Sequence, residues 1–564
     1  MILIVILHKC RGDNMKKLVV FFTAVFLFVF LLTACSNNSV GPVQEKKSED
    51  NTSAVPQSGG KINIGVTSAI NLDPLKVQTD EEKSFVSLIY EGLVKIDGQG
   101  RIKPALAKAW EISGNGRTYT FKLMNNVKWH DGGIFSSNDI KATFDRIRQI
   151  KSLREKKDKV KVFPEFDNIE SYSASDADTF TVNLFKPDAG FLYGMTIGIL
   201  PASSISLEKG QTGSPSDKSS DTQQILKPSG TGKYKVVKQD SDTIELKKNE
   251  DYYGKKPYID EIAIRIFPDI NSMKEAFKNR EVDIMPVDTQ DWGIFQNMPN
   301  VSLLHYPSRY FEFMALNLKN DLFSDVGVRQ AILMSIDRNK ILQDTTLGRG
   351  VIVDSPVMPF SWAYNPQVRH QPFNREKAGE MLKSAGWKDE DGDGILEKKV
   401  NGKKKKFEFE LLVNTSNAAR YQVASDIQKD LKEVGISVKM VNVPWEELKT
   451  RVMGEKFDAA IMGWKLSPNP DLRFMFLQDE IKNGYNFVSY SNPQLDEILI
   501  KAQSINLEQE QKALLYQAQE IISRDQPYIF LYSPNNLLAI NARIKGFQPD
   551  PVNLFNNIDD WWVE

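Results

Sequence analysis

Residues 407–443 read FEFELLVNTSNAARYQVASDIQKDLKEVGISVKMVNV, and this stretch decides the fold class. Phe407-Glu-Phe-Glu-Leu-Leu-Val413 has the composition of a strand, residues 418–434 read as a helix, and Ile436 to Val443 alternates as a second strand. A βαβ unit of this kind implies an α/β fold with a partly parallel sheet. Ligands of such sheets sit beyond the carboxyl ends of the strands or between domains. Upstream, a helix is expected over 326–343 with Val328, Ala331, Ile332, Ser335 and Ile336 facing inward, and another over 374–385 capped by Asn374.

Nearer the N-terminus the pattern is mixed. Lys61–Val66 and Thr118–Leu123 alternate as strands, and residues 243–268 give two more around the turn Asn249–Gly254. Phe85, Leu88, Ile89 and Leu93 stand at helical spacing in 82–94. Ser137-Asn-Asp139 caps a helix through Ile140, Phe144 and Ile147. Residues 206–222 read as a polar surface loop, and no internal repeat is visible.

The 564 residues carry 72 Lys+Arg against 73 Asp+Glu, a formal charge of −1. That balance argues against a nucleic-acid carrier, whose affinity rests on clustered cations. The only cysteines are Cys10 and Cys35, so a disulfide scaffold and cysteine chemistry are excluded from the folded body. His8, His130, His305 and His370 are too scattered for a His-rich metal site.

The first residues read as an address. Lys16-Lys17 precede an apolar run over 18–32, then Leu32-Thr33-Ala34-Cys35. A run of about 15 is short for a span and suits a secretory signal, so 1–34 is expected to be a signal peptide. Met15 is the better start, with 1–14 an upstream extension. The Leu-Thr-Ala-Cys run resembles the lipobox of bacterial lipoproteins, which implies a diacylated Cys35 at the mature terminus. Residues 35–59, rich in Ser, Asn, Gly and Pro, are expected to be a flexible tether. Its Lys and Asn content fits a low-GC Gram-positive cell surface; if an outer membrane exists, the same anchor implies a periplasmic location.

Five segments together resemble the family 5 extracellular solute-binding proteins, the peptide-binding subunits of ABC importers. They are Glu91–Val94 with Pro104–Trp110; Val127–Gly132 through Phe135 and Asp139; Gly230–Tyr234 with Asn249–Tyr253; Val328–Ile332 with Asp337; and Phe457-Asp458 to Gly463-Trp464 followed by Tyr490–Pro493 and Asp496. The resemblance covers about residues 60–564 and implies a periplasmic-binding-protein-like fold, two lobes with mixed sheets and a hinge. A third domain is added to the first lobe. Mapped here, 60–87, 225–308 and 527–564 form lobe I, 88–224 the appended domain and 309–526 lobe II.

The resemblance also places ligand contacts. In Ala460-Ile-Met-Gly463-Trp464-Lys-Leu-Ser467-Pro-Asn469-Pro-Asp471 a strand end opens into a loop, and in the family this edge pairs with an extended peptide. Ser467 stands where tight oligopeptide binders often carry Asp, so Asp471 is the nearest carboxylate for a peptide ammonium; its other reading is a local turn cap. Trp445 falls where the family has a pocket-lining Trp. Gln78, four after Pro74, matches a ligand-contacting loop of lobe I, and Tyr310 and Phe313 are lining candidates near the lobe crossing, or core.

Two other motifs were weighed. Trp129-His130-Asp131 looks catalytic, but no recognisable nucleophile motif accompanies it, and in the family it is a structural turn. Asp389-Glu-Asp391-Gly-Asp393-Gly394 matches the start of an EF-hand loop, a weak Ca²⁺ candidate. Position twelve is Val400 where a bidentate Glu is needed, and Glu397 at position nine is a partial substitute. No cofactor or other metal is expected.

The sequence therefore describes a monomeric, non-enzymatic, lipid-anchored receptor that delivers peptides to ABC permease subunits. A nickel chelate, an oligosaccharide or a signalling peptide is the alternative solute. A surface hydrolase would need a nucleophile or paired carboxylates that no motif supplies.

Overall fold

The strand Tyr528–Asn541 is fourteen residues long and belongs to two sheets. Its first residues pair antiparallel with Tyr310–Leu316, and Gly350–Ile352 pairs beyond them. Its later residues pair antiparallel with Val301–Pro307 and Ile284–Pro286. The chain thus crosses between the sheets at Ser308-Arg309 and again near Ser533-Pro534, and the two crossings lie side by side. The segment 527–564, expected wholly in lobe I, divides at this point: 528–532 pair with strands of lobe II. A computed structural model describes residues 55–158, 162–205, 228–400 and 402–564. The proposed signal peptide, Cys35, the tether up to residue 54 and the 206–222 loop lie outside them.

The lobe II sheet continues from Tyr310–Leu316 to Ala459–Lys465, Glu408–Asn414 and Ser437–Val443. Glu408–Asn414 runs parallel to Ser437–Val443, with helix Ala418–Lys432 as the crossover. Alternation sorts its side chains. Phe311, Phe313, Ala315, Ala460 and Phe530 enter one core, while Met314, Leu316, Ala459, Ile461 and Ile529 enter the core on the other face. Phe313 is therefore core, stacked 4.3 Å from Tyr528, and not a cleft residue.

The lobe I sheet sets Lys61–Val66 parallel to Glu261–Ile266, followed by antiparallel Thr243–Lys248 and Tyr234–Gln239. The appended domain is a four-stranded antiparallel sheet of residues 107–184, covered by helix Ser137–Asp158. Phe144 packs edge-on against Phe166 and Phe180 at its centre.

Two helices depart from expectation. The 82–94 helix ends early, as Asp80–Val86, because the carbonyls of Leu88 and Ile89 accept from Tyr234 N and Gly232 N at 2.9 and 2.8 Å. The 326–343 helix is two, Val326–Ser335 and Arg338–Thr346, because Ile336 is extended and Asp337 caps the second through Lys340 N.

Phe313→Ala should cost about 3–5 kcal/mol, the usual range for deleting a buried ring. A urea unfolding curve checks this, and a change below about 1 kcal/mol would mean the two-sheet junction is not packed as described.

Candidate functional site

A cleft of about 1760 Å³ is lined by lobe I, the appended domain and lobe II. Lobe II contributes Arg309 and Lys465 to Asn469, so Ser467 and Asn469 line it; Gln78 lines it from lobe I. Where strand Ala459–Lys465 ends, Leu466 N donates to Arg309 O at 2.8 Å and Arg309 Nη1 donates to Leu466 O at 2.7 Å. This clamp holds the loop against the lobe crossing.

Asp80, on the first turn of helix Asp80–Val86, reaches across from lobe I. Its carboxylate pairs with buried Arg309 and with Lys465, the latter at 2.5 Å. Burial alone would raise the Asp80 pKa, but Arg309 and Lys465 together hold it below the usual carboxylate range. The lobes also meet at the appended domain. Tyr119 Oη donates to Asn506 Oδ1 at 3.0 Å, Trp362 N donates to Gln99 O at 2.9 Å, and Arg101 lies 3.3 Å from Glu508.

The remaining candidates are spread over lobe II. Trp464 packs edge-on against Phe474 and Tyr485 and stacks near Phe487, at 5.2, 5.7 and 5.9 Å. Gly463 lies over an ion pair: Arg420 Nε and Nη2 hold both Glu312 oxygens at 2.9 and 3.0 Å. A Cβ at 463 would meet Arg420 Nη2 at 2.5 Å and Glu312 Oε1 at 2.7 Å, which accounts for the glycine. Burial pushes the Glu312 pKa up, against the pull of Arg420. Trp445 begins helix Trp445–Met453 and lies 6.0 Å from the Arg420 guanidinium. Tyr310 is 43% exposed at the crossing, with the Lys465 ammonium 5.2 Å from its ring. Asp471 is not among the cleft-lining residues: both its oxygens grip Arg473, at 2.9 and 2.8 Å, so the local turn role is the observed one.

Sequence reasoning missed Asp80, Arg309 and the Glu312–Arg420 pair. Asp80 sits inside the capping box Thr79-Asp-Glu-Glu82, a helix-start signal that masks any further role. Glu312 and Arg420 are 108 positions apart, and no local spacing links them.

Three of the motif segments converge at the wall of the cleft, where Glu91 and Tyr252 are lining residues. Glu91 accepts from Tyr252, Tyr253 and Thr231 at 2.9, 3.1 and 3.0 Å. His130 accepts from Gly230 N through Nδ1 at 3.2 Å, and Nε2 faces Gly232 O at 3.0 Å. These partners require the neutral Nε2–H tautomer, since a protonated Nδ1 cannot accept. The Trp-His-Asp run thus joins the appended domain to lobe I.

Residues 101–486 match the model of the bacterial extracellular solute-binding proteins, family 5 Middle. The chain belongs to this family of solute-binding proteins. It is 29% identical over 568 residues to oligopeptide-binding protein AppA of Bacillus subtilis, covering 97% of this chain and 99% of that one. Heme-binding protein A of Haemophilus influenzae is 25% identical over 92% of this chain and 95% of its own length. The solved structure of B. subtilis AppA with a nonapeptide superposes with TM-score 0.64 at 29% identity, over 90% of this chain and all of that one. NikZ of Campylobacter jejuni with Ni(L-His) gives 0.66 at 27% identity, over 89% and 99%.

Burial lowers the His130 pKa to about 4 from 6.5, against the support of Gly232 O. Between these values the unfolded chain binds the extra proton, so stability falls as pH drops through this window, by up to about 3 kcal/mol. Urea melts at pH 7 and pH 4.5 should show this loss, and His130→Gln should flatten it. An equal pH slope in both proteins would contradict the assignment.

Proposed function

We propose that the protein is the substrate-binding component of an ABC importer, anchored outside the membrane through a lipid on Cys35, and that its solute is a peptide held mainly by its backbone. The observation that carries this reading is the edge of strand Ala459–Lys465. One edge pairs throughout with Tyr310–Leu316, whereas the other pairs with Glu408–Asn414 only at Ala459 and Ala460. In an antiparallel pair alternate residues point their N–H and C=O away from the partner. From Gly463 onward, past buried Ile461 and Met462, the edge is partly exposed to an incoming extended chain and runs into the cleft-lining Lys465–Asn469.

Main-chain bonding reads little sequence, which suits a receptor for varied peptides. Pockets for drug-sized ligands reach about 1,000 Å³, and this cleft is larger. The nonapeptide in the AppA structure supports the same class of solute. The lining carries eight Lys and Arg against three Asp and Glu, so a ligand with net negative charge is favoured. The same excess would serve an anionic metal chelate, the second reading, for which the NikZ complex speaks. Neither reading needs catalysis. Among the described residues no helix is long and apolar enough to cross a membrane.

Native mass spectrometry of protein purified from cells should release a mixture of peptides; a single chelate or sugar would contradict the peptide reading. A bound peptide N-methylated at the positions facing the strand edge should lose about tenfold in affinity per lost backbone bond. Unchanged affinity across an N-methyl scan would show that the backbone is not what is held.

A further inference from the structure

A second polar cluster lies away from the cleft. The loop Asp389–Gly394 joins helix Arg375–Ser384 to the hairpin Glu397–Val400 and Lys403–Lys406. Gly392 and Gly394 take φ values of +78° and +85°, which lets the loop turn tightly. Asp389 accepts from Gly392 N at 2.7 Å and Gly394 N at 3.0 Å. One carboxylate oxygen each from Asp389, Asp391 and Glu397 lies within 4.8 Å of the others.

Glu397 separates this loop from an ordinary acidic turn. It is 1% exposed. Its Oε2 accepts from Glu390 N at 2.9 Å, while Oε1 is buried and accepts no hydrogen bond. The ammonium groups of Lys404 and Lys406 stand off Oε1 at 3.4 and 3.9 Å. Lys404 is also 3.5 Å from Glu390, and Lys406 is 3.6 Å from Asp391 and in contact with Asp393. Two half-exposed ammonium groups thus serve four carboxylates, and the buried oxygen is left with ion pairs at 3.4 and 3.9 Å and no hydrogen bond.

We propose that Asp389, Asp391 and Glu397 form a Ca²⁺ site that ties the helix-to-hairpin loop of lobe II. The donors are all hard carboxylate oxygens, with no imidazole or thiol in the cluster, which favours Ca²⁺ over softer metals. Glu397 supplies from position nine the buried carboxylate that Val400 cannot. Asp393 points to Lys406 and adds an oxygen only when that ammonium leaves. With fewer protein ligands than a complete EF-hand loop, the site belongs in the affinity range of extracellular modules, about 10⁻⁴–10⁻³ M. Its occupancy stabilises lobe II independently of what the cleft holds.

Calorimetric titration of the intact protein with CaCl₂ should show one saturable site in that range, and millimolar Ca²⁺ should raise Tm more than equal Mg²⁺. Exposed Asp391→Asn should weaken Ca²⁺ binding about tenfold or more. Lys406→Ala should tighten it by about threefold, because a competing cation is gone. Terbium luminescence excited through Trp387, two residues before Asp389, reads the same site in proteins of altered stability. No binding heat and no terbium signal up to about 10 mM metal would overturn the proposal. So would a Lys406→Ala protein that binds Ca²⁺ more weakly than the parent.

Discussion

A single strand shared by two sheets is the constraint on which the architecture rests. Tyr528–Asn541 cannot leave either sheet without exposing a row of backbone groups. Its neighbours Val301–Pro307 and Tyr310–Leu316 are consecutive in sequence and lie on the same side of it, one in each lobe. The lobes are therefore joined by two adjacent extended segments and little else along that line. A joint of this kind resists shear along the strands but bends at Ser308-Arg309 and Ser533-Pro534, where strand pairing passes from one sheet to the other.

What the joint brings together explains the cleft. Arg309 lies at the crossing, clamps the Leu466 backbone and meets Asp80 from the opposite lobe. Lys465 joins the same carboxylate from the end of strand Ala459–Lys465. The lobes are thus paired beside the point where strand Ala459–Lys465 ends at the cleft. On the far side Tyr119, Gln99 and Arg101 of the appended domain meet Asn506, Trp362 and Glu508 of lobe II. These contacts are polar, as suits an interface that must also open.

Most of the fold was legible because its signals are local. The alternation of Thr118–Leu123, the Asn374 cap and the strand–helix–strand of 407–443 all stand within a residue or two of expectation. The 82–94 helix failed because a distant partner outcompeted the local pattern, and the 326–343 helix because a local cap at Asp337 broke it. Leu88 and Ile89 keep helical spacing, yet their carbonyls are taken by Tyr234 N and Gly232 N. The site was less legible. Ser467, Asn469 and Gln78 line the cleft. Asp471 is spent on Arg473, two residues away, and Trp464 is packed into an aromatic cluster. The Glu312–Arg420 pair under Gly463 depends on a strand and a helix that no spacing rule connects.

The central claim is that the two lobes close on a peptide about the shared strand. The folded body contains no cysteine, so a pair introduced at exposed Lys95 and Glu510 can carry spin labels without background. Pulsed electron–electron distance measurement should give a broad or long distribution for ligand-free protein and a shorter, narrower one with saturating peptide. An identical distribution in both states, with binding verified independently, would contradict the account.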